Sequence, residues 1–146
     1  MSENHGTHLF LYQGLVLRLD DGAQVPKAGT LLLARQLPAL AHGSVVDVGT
    51  GCGLLALLAA RSARRVVATD VVEACVRCTW RNALLNGFEV QVDVRLGDLF
   101  APVAGETFDL VLTNLPQMPT PRGRETGGDE LAADDGGPDG WAILDR

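Results

Sequence analysis

The sequence predicts an α/β fold built on a parallel sheet, and three observations carry that prediction. From Ser44 onward, short apolar runs alternate with longer helical stretches, the pattern of right-handed βαβ crossovers. Apolar residues make up 47% of the 146 positions and aromatic residues only 5%, with Ala, Leu and Val dominant. That composition suits helices packed over strands buried on both faces. The first of those strands also runs straight into glycines at alternate positions, Gly49, Gly51 and Gly53, at the point where open α/β sheets receive ligands. The length fits one domain, 1–146, around one core.

The chain opens with an extended pair over residues 8–25. Leu9, Leu11, Leu15, Leu17 and Leu19 keep the two-residue period of a strand. Asp20-Asp21-Gly22 supplies a turn before 23–25, and Pro26 ends the segment. A helix is expected over 28–40 with Leu31, Leu32, Ala34 and Leu37 buried, and Pro38 is placed to stop it early. The core follows over 44–114. Residues 44–48 form the first sheet strand, 52–63 a helix after the glycine turn, and 65–69 the second strand. Residues 71–86 are a helix stopped by Asn86-Gly87, 90–96 the third strand and 107–113 the fourth. The stretch 116–140 is rich in Pro, Gly, Asp and Glu and reads as a long loop on the substrate side. Residues 138–146 read as the opening of another helix.

A formal net charge of -6 gives no general attraction for nucleic acid phosphates. No basic-then-apolar leader opens the chain, and the longest apolar run, 54–60, is too short to span a bilayer. The three cysteines, Cys52, Cys75 and Cys78, are expected to be reduced thiols in the cytoplasm. Cys75 and Cys78 lie within one helix and have no second ligand pair, so no metal is expected.

The glycine turn carries the sharpest signal. In dinucleotide sites the third glycine stands three residues after the second. Here the gap is two, and Asp47 precedes the first glycine. Asp70 closes the second strand, where a carboxylate can accept from both ribose hydroxyls. Asp98 follows the third strand, where a carboxylate can accept from an adenine amino group while Leu99 or Phe100 packs on the ring. Together these residues resemble the motifs of class I S-adenosylmethionine-dependent methyltransferases, over residues 24–146. The resemblance implies a Rossmann-like sheet and S-adenosylmethionine as cofactor. It implies that Asp47, Gly49, Gly51 and Gly53 line the methionine end, that Asp70 holds the ribose, and that Asp98 and Leu99 hold the adenine.

The fourth strand ends in Asn114-Leu115-Pro116-Gln117, which resembles the Asn-Pro-Pro-Tyr motif of amino-methylating enzymes. An amide or aromatic amine is a poor nucleophile because its lone pair is delocalised. The Asn114 side-chain oxygen and the Leu115 carbonyl can each accept one N–H and aim that lone pair at the sulfonium methyl, while Pro116 fixes the turn. The transfer then depends on positioning and electrostatics. The fourth place, aromatic in those enzymes, is Gln117, which can hydrogen-bond a polar acceptor. Two flanking segments, Pro26 to Leu33 with Thr30 and Gly136-Gly137-Pro138-Asp139-Gly140-Trp141, resemble the protein-glutamine N5-methyltransferases that act on release factors. That resemblance implies Thr30 near the cofactor carboxylate and a protein or small-molecule acceptor of N-methylation. The alternatives left open are an RNA or DNA amino-methyltransferase and a non-catalytic cofactor-binding subunit that needs a partner.

Sheets of that family have seven strands. The four counted here give the order 3-2-1-4 and predict a chain truncated at its C-terminal side, with strands 5–7 missing. The fourth strand is then an open edge whose Phe108, Leu110, Val111 and Leu112 lack cover, suited to self-association or an activating partner.

Overall fold

The structure is a computed structural model that describes residues 8–19, 23, 25–119 and 135–146. It forms two compact units, Met1–Thr113 and Asn114–Arg146.

The first unit holds a four-stranded parallel sheet of β3 (Ser44–Val48), β4 (Arg65–Asp70), β5 (Val92–Leu96) and β6 (Leu110–Thr113), ordered β5-β4-β3-β6. This is the order expected from the sequence. Val45, Val46, Val48, Val66 and Val67 are almost fully buried, because a parallel sheet takes helices on both faces. All six residues of α3 (Leu54–Ala59) are buried, and its sequence accordingly shows no polar stripe. α1 (Ala28–Ala34) and α2 (Leu37–Leu40) pack on α3, while α4 (Glu73–Leu85) packs on β4 and β5.

An N-terminal hairpin, β1 (His8–Tyr12) and β2 (Leu15–Leu19), pairs Tyr12 with Leu15 and His8 with Leu19. Its turn is Gln13-Gly14, both at positive φ, the two-residue geometry that matches strand twist. The turn expected at Asp20-Asp21-Gly22 falls outside the described residues, and the hairpin is complete before it. This shifts the meaning of the leucine run. Even positions in β1 oppose odd positions in β2, so the core-facing side changes parity across the turn. Leu15, Leu17 and Leu19 are buried, whereas Leu9 and Leu11 are 63% and 71% exposed. Phe10 and Tyr12 pack on the core instead.

The helix expected over 28–40 is two pieces. Pro38 has no N–H to give the carbonyl of Ala34, so α1 stops there. The chain turns at Arg35-Gln36 and restarts with Pro38 in the first turn of α2, where a missing N–H costs nothing. Ala34 and Leu37 are buried as expected, Leu31 is half-buried, and Leu32 is exposed.

At the other side of the sheet, the amide and hydroxyl of Ser44 donate to Asp109 Oδ2 at 2.7 and 2.8 Å. The Asp109 amide returns a bond to the Ser44 carbonyl at 2.8 Å. These bonds set the start of β6 and hold the Asp109 carboxyl below the ordinary carboxylate range. Among the described residues β6 pairs only with β3. Its side chains are not uniformly uncovered, as the edge reading expected. Leu112 is buried, Leu110 and Phe108 are half-buried, and Val111 is exposed, because alternate residues face opposite sides of the sheet.

In the second unit Met118 and Asp135 form an isolated parallel bridge, and Gly136 N donates to Met118 O at 2.9 Å. The helix expected from Pro138 is absent. The Asp139 carboxylate accepts the Trp141 amide at 3.1 Å, and Gly140 is left-handed at φ 86°. A helix cannot pass through that conformation, and one turn remains, closed by Asp145 N to Trp141 O. Among the described residues no helix is long and apolar enough to cross a membrane.

The hairpin register yields a test. Leu17→Ala should cost about 2–5 kcal/mol of stability, and Leu9→Ala less than about 0.5 kcal/mol. Urea titration of both variants measures the difference, and equal costs would mean the parity does not change at Gln13-Gly14.

Candidate functional site

Strand β3 ends at Val48, and the chain must reverse there to start α3. The backbone does so by hanging on its neighbour. Gly49 N and Thr50 N both donate to Thr69 O, at 2.9 and 3.0 Å. Gly51 N donates to Asp70 Oδ2 at 2.9 Å. Gly51 sits at φ +59°, and a Cβ built there would meet nothing within 4 Å, so this side of the turn is open. Gly53 is the opposite case. At φ +89° its Cβ would stand 2.9 Å from Thr79 Cγ2, so a larger residue would push α3 away from α4.

Asp70 is buried, and each of its carboxylate oxygens has a fixed role. Oδ2 takes the Gly51 amide, and Oδ1 takes the Val72 amide at the start of α4, at 2.9 Å. Each oxygen keeps a second lone pair. The Asp70 carbonyl accepts Gly97 N at 2.9 Å, and the Thr69 hydroxyl donates to the Leu99 carbonyl at 3.3 Å. These two bonds draw the segment after β5 to the end of β4. Leu99 is held at φ 47°, a region costly for a residue with a Cβ. Asp98 and Phe100 are exposed and Leu99 half-buried.

Asp47 lies one residue before the end of β3 and is 1% exposed. The Thr50 hydroxyl donates to its Oδ2 at 2.7 Å. Its Oδ1 is sealed from solvent and has no hydrogen-bond partner among the described residues. Burial pushes the carboxyl from its ordinary 3.8 up to about 6, against the hydrogen bond from Thr50 and the backbone of Ala56 and with help from the nearby charge of Asp70. The carboxyl ends of three adjacent strands therefore bring together a sealed carboxylate on Asp47, a fixed carboxylate with spare lone pairs on Asp70 and a backbone open at Gly51. Asp47, Gly49, Gly51, Gly53, Asp70 and residues 97–99 come together there. Thr30 is half-buried in α1.

In the second unit, Asn114, Leu115 and Pro116 are half-buried and Gln117 is exposed. The Gly136–Gly140 stretch seats this segment. A Cβ on Gly136 would lie 2.7 Å from Gln117 Cα, and one on Gly140 would lie 2.6 Å from Gln117 O. Only glycine allows that approach.

The sequence reading missed two polar residues of α4 and the one that caps its C-terminus. Thr79 and Asn82 are fully buried, and Asn86 follows one turn later. The available signal was polar side chains at helical spacing on the stripe that faces the core. The three cysteines form no disulfide. Burial pushes the thiols of Cys52 and Cys75 up to about 12, which keeps them protonated.

Residues 22–124 match the model of the methyltransferase small domain. A putative protein N5-glutamine methyltransferase of Methanocaldococcus jannaschii is 33% identical over 135 residues, which cover 92% of this chain and 67% of the relative. A release factor glutamine methyltransferase of Aquifex aeolicus is 34% identical over 112 residues, 73% of this chain and 40% of the relative. The chain thus spans between two fifths and two thirds of these relatives. Among solved structures, a tRNA m1G37 methyltransferase of M. jannaschii superposes with a TM-score of 0.69 at 21% identity, covering 81% of this chain and 38% of that one. At that identity the likeness is one of fold.

The burial of Asp47 predicts a pH effect on the ligand-free protein. Its folded pKa is raised, so its contribution to stability is full below the unfolded value of 3.8 and is lost as pH rises to about 6. The loss is on the order of 3 kcal/mol. Asp47→Asn removes the ionisation and keeps an acceptor for Thr50. Its stability relative to the parent should therefore rise between pH 4 and about pH 6.5 and stay level above. A difference that does not change with pH would show that Asp47 ionises freely in the folded chain.

Proposed function

The chain belongs to the methyltransferase small-domain family of S-adenosylmethionine-dependent enzymes, and from that premise we propose that it methylates an amide or amine nitrogen of a protein side chain or small molecule, a glutamine side chain foremost. The observation that carries the reading is the cradle at the ends of β3 and β4. A buried carboxylate oxygen without a partner, an open glycine backbone and a second, fixed carboxylate stand together there. These groups fit S-adenosylmethionine. Asp47 Oδ1 gives an anionic partner for its amine, Gly51 lets the backbone approach the methionine half, and the open lone pairs of Asp70 suit the ribose hydroxyls. Asp98 and Leu99 are the residues proposed to hold the adenine, and Thr30 is proposed near the carboxylate.

When bound, the cofactor supplies an electrophilic methyl on a sulfonium. The chain's part is to hold and orient. In this reading Asn114 Oδ1 and the Leu115 carbonyl accept the two N–H groups of the acceptor and turn its lone pair toward that methyl. Pro116 keeps the Leu115 carbonyl in a fixed turn. Gln117 offers a hydrogen bond in place of a stacking face. The glutamine acceptor is supported by the relative that aligns with 92% of the chain and by the glycine stretch that seats Gln117. The net charge of -6 disfavours a nucleic acid acceptor.

Transfer of labelled methyl to a release-factor fragment containing glutamine, to tRNA and to a panel of small amines tests the acceptor class. Label in the protein fragment at glutamine is the expected result; label in tRNA alone would overturn it. Asp70→Ala should weaken S-adenosylhomocysteine binding by on the order of 2–4 kcal/mol in calorimetry. Asn114→Ala should leave that affinity nearly intact and lower turnover at least about 100-fold. Normal turnover in that variant would reduce Asn114 to a turn residue.

A further inference from the structure

The glycine turn is gripped from α4 as well as from β4. The Thr79 hydroxyl donates to the Gly51 carbonyl at 2.9 Å, and the Asn82 amide donates to the Cys52 carbonyl at 2.9 Å. The peptide bond is trans, so fixing the Gly51 carbonyl toward α4 turns the Cys52 N–H away from α4.

Asn82 also reaches the N-terminal hairpin. Its carboxamide accepts the Arg18 amide at 2.8 Å and donates to the Arg18 carbonyl at 3.1 Å. Asn86 repeats the arrangement on Val16, at 3.0 and 2.8 Å. The N–H and C=O groups of residues 16 and 18 point away from β1, because in an antiparallel pair alternate residues bond to opposite edges and residues 15, 17 and 19 are the ones that bond to β1. Two side-chain amides one helical turn apart therefore pair the outer edge of β2 as a neighbouring strand would. One carboxamide, that of Asn82, joins this edge to the turn.

We propose that Thr79 and Asn82 are positioning residues for the methionine half of the cofactor, and that Asn82 makes the hairpin of residues 8–19 part of that device. Thr79 and Asn82 do not touch the ligand. They fix two successive carbonyls of the turn so that the Gly51–Cys52 peptide and the open side of Gly51 keep one orientation. The hairpin, docked on Asn82 and Asn86, limits how far α4 can move from the turn. The proposal rests on reading the glycine turn as the seat of the methionine half.

Calorimetric titration with S-adenosylhomocysteine, which carries the methionine half, and with adenosine, which lacks it, separates positioning from general weakening. The parent chain should bind both. Thr79→Val keeps the shape and loses the bond to Gly51; it should weaken S-adenosylhomocysteine at least about 5-fold and adenosine less than about 2-fold. Thr79→Ser should restore the affinity. Asn86→Ala loosens the hairpin without touching the turn. It should show the same selectivity at about 2- to 3-fold, with faster amide exchange at Gly51 and Cys52. If Thr79→Val fails to fold, Asn86→Ala alone decides. Equal losses for the two ligands, or no loss, would overturn the proposal. A parent chain that binds neither ligand would instead overturn the reading of the cradle on which it rests.

Discussion

Three successive amides, those of Gly49, Thr50 and Gly51, are received by two successive residues of the next strand, Thr69 and Asp70. The rest of the site depends on this. The turn does not close on itself; it takes its shape from β4. That requires β4 to lie parallel to β3 with Val48 opposite Thr69. A slip of one residue would move the Thr69 carbonyl out of reach and put a side chain where Asp70 now stands. The burial of Val66 to Asp70 from end to end keeps the register in place, since any slip would expose part of that row.

Much of this was legible in the sequence, for a physical reason. Val45 to Gly53 encodes strand, turn and helix by local rules alone: β-branched residues, then alternate glycines, then leucine and alanine. That the sheet is parallel followed from the alternation of elements, and its order from the resemblance to class I methyltransferases. The hairpin turn was misplaced because Asp20-Asp21-Gly22 is the louder local signal, whereas Gln13-Gly14 is selected by pairing across strands. The break between α1 and α2 was marked by Pro38, but its position depended on which carbonyl Pro38 leaves without a donor. Thr79, Asn82 and Asn86 were not legible as part of the site. Their partners lie 28 to 70 residues away in the chain, and no local pattern names the far end of such a bond.

The polar groups of the first unit divide by cost. Around Arg95, Asp93, Glu106 and Arg65, exposed ion pairs clasp the start of β4 to β5 and the segment after it, with the Arg65 guanidinium 5.9 Å from the ring centre of Phe108. Such pairs sit in water and add little. Asp47 is different. A sealed carboxylate oxygen with nothing to bond costs folding free energy, and cores rarely keep one. Its presence beside a turn whose backbone is open at Gly51 is the local conflict expected of a ligand site.

The bridge between Met118 and Asp135, with the Gly136 amide closing on the Met118 carbonyl, has a consequence for how such a chain can diversify. It holds Met118 and Asp135 side by side, next in the chain to Gln117. A stapled stretch can change in length and composition without moving its anchors, because doubling its length adds only about 0.6 kcal/mol of closure entropy. A change in the length of the intervening sequence therefore leaves Met118 bridged to Asp135 and Gln117 against Gly136 and Gly140.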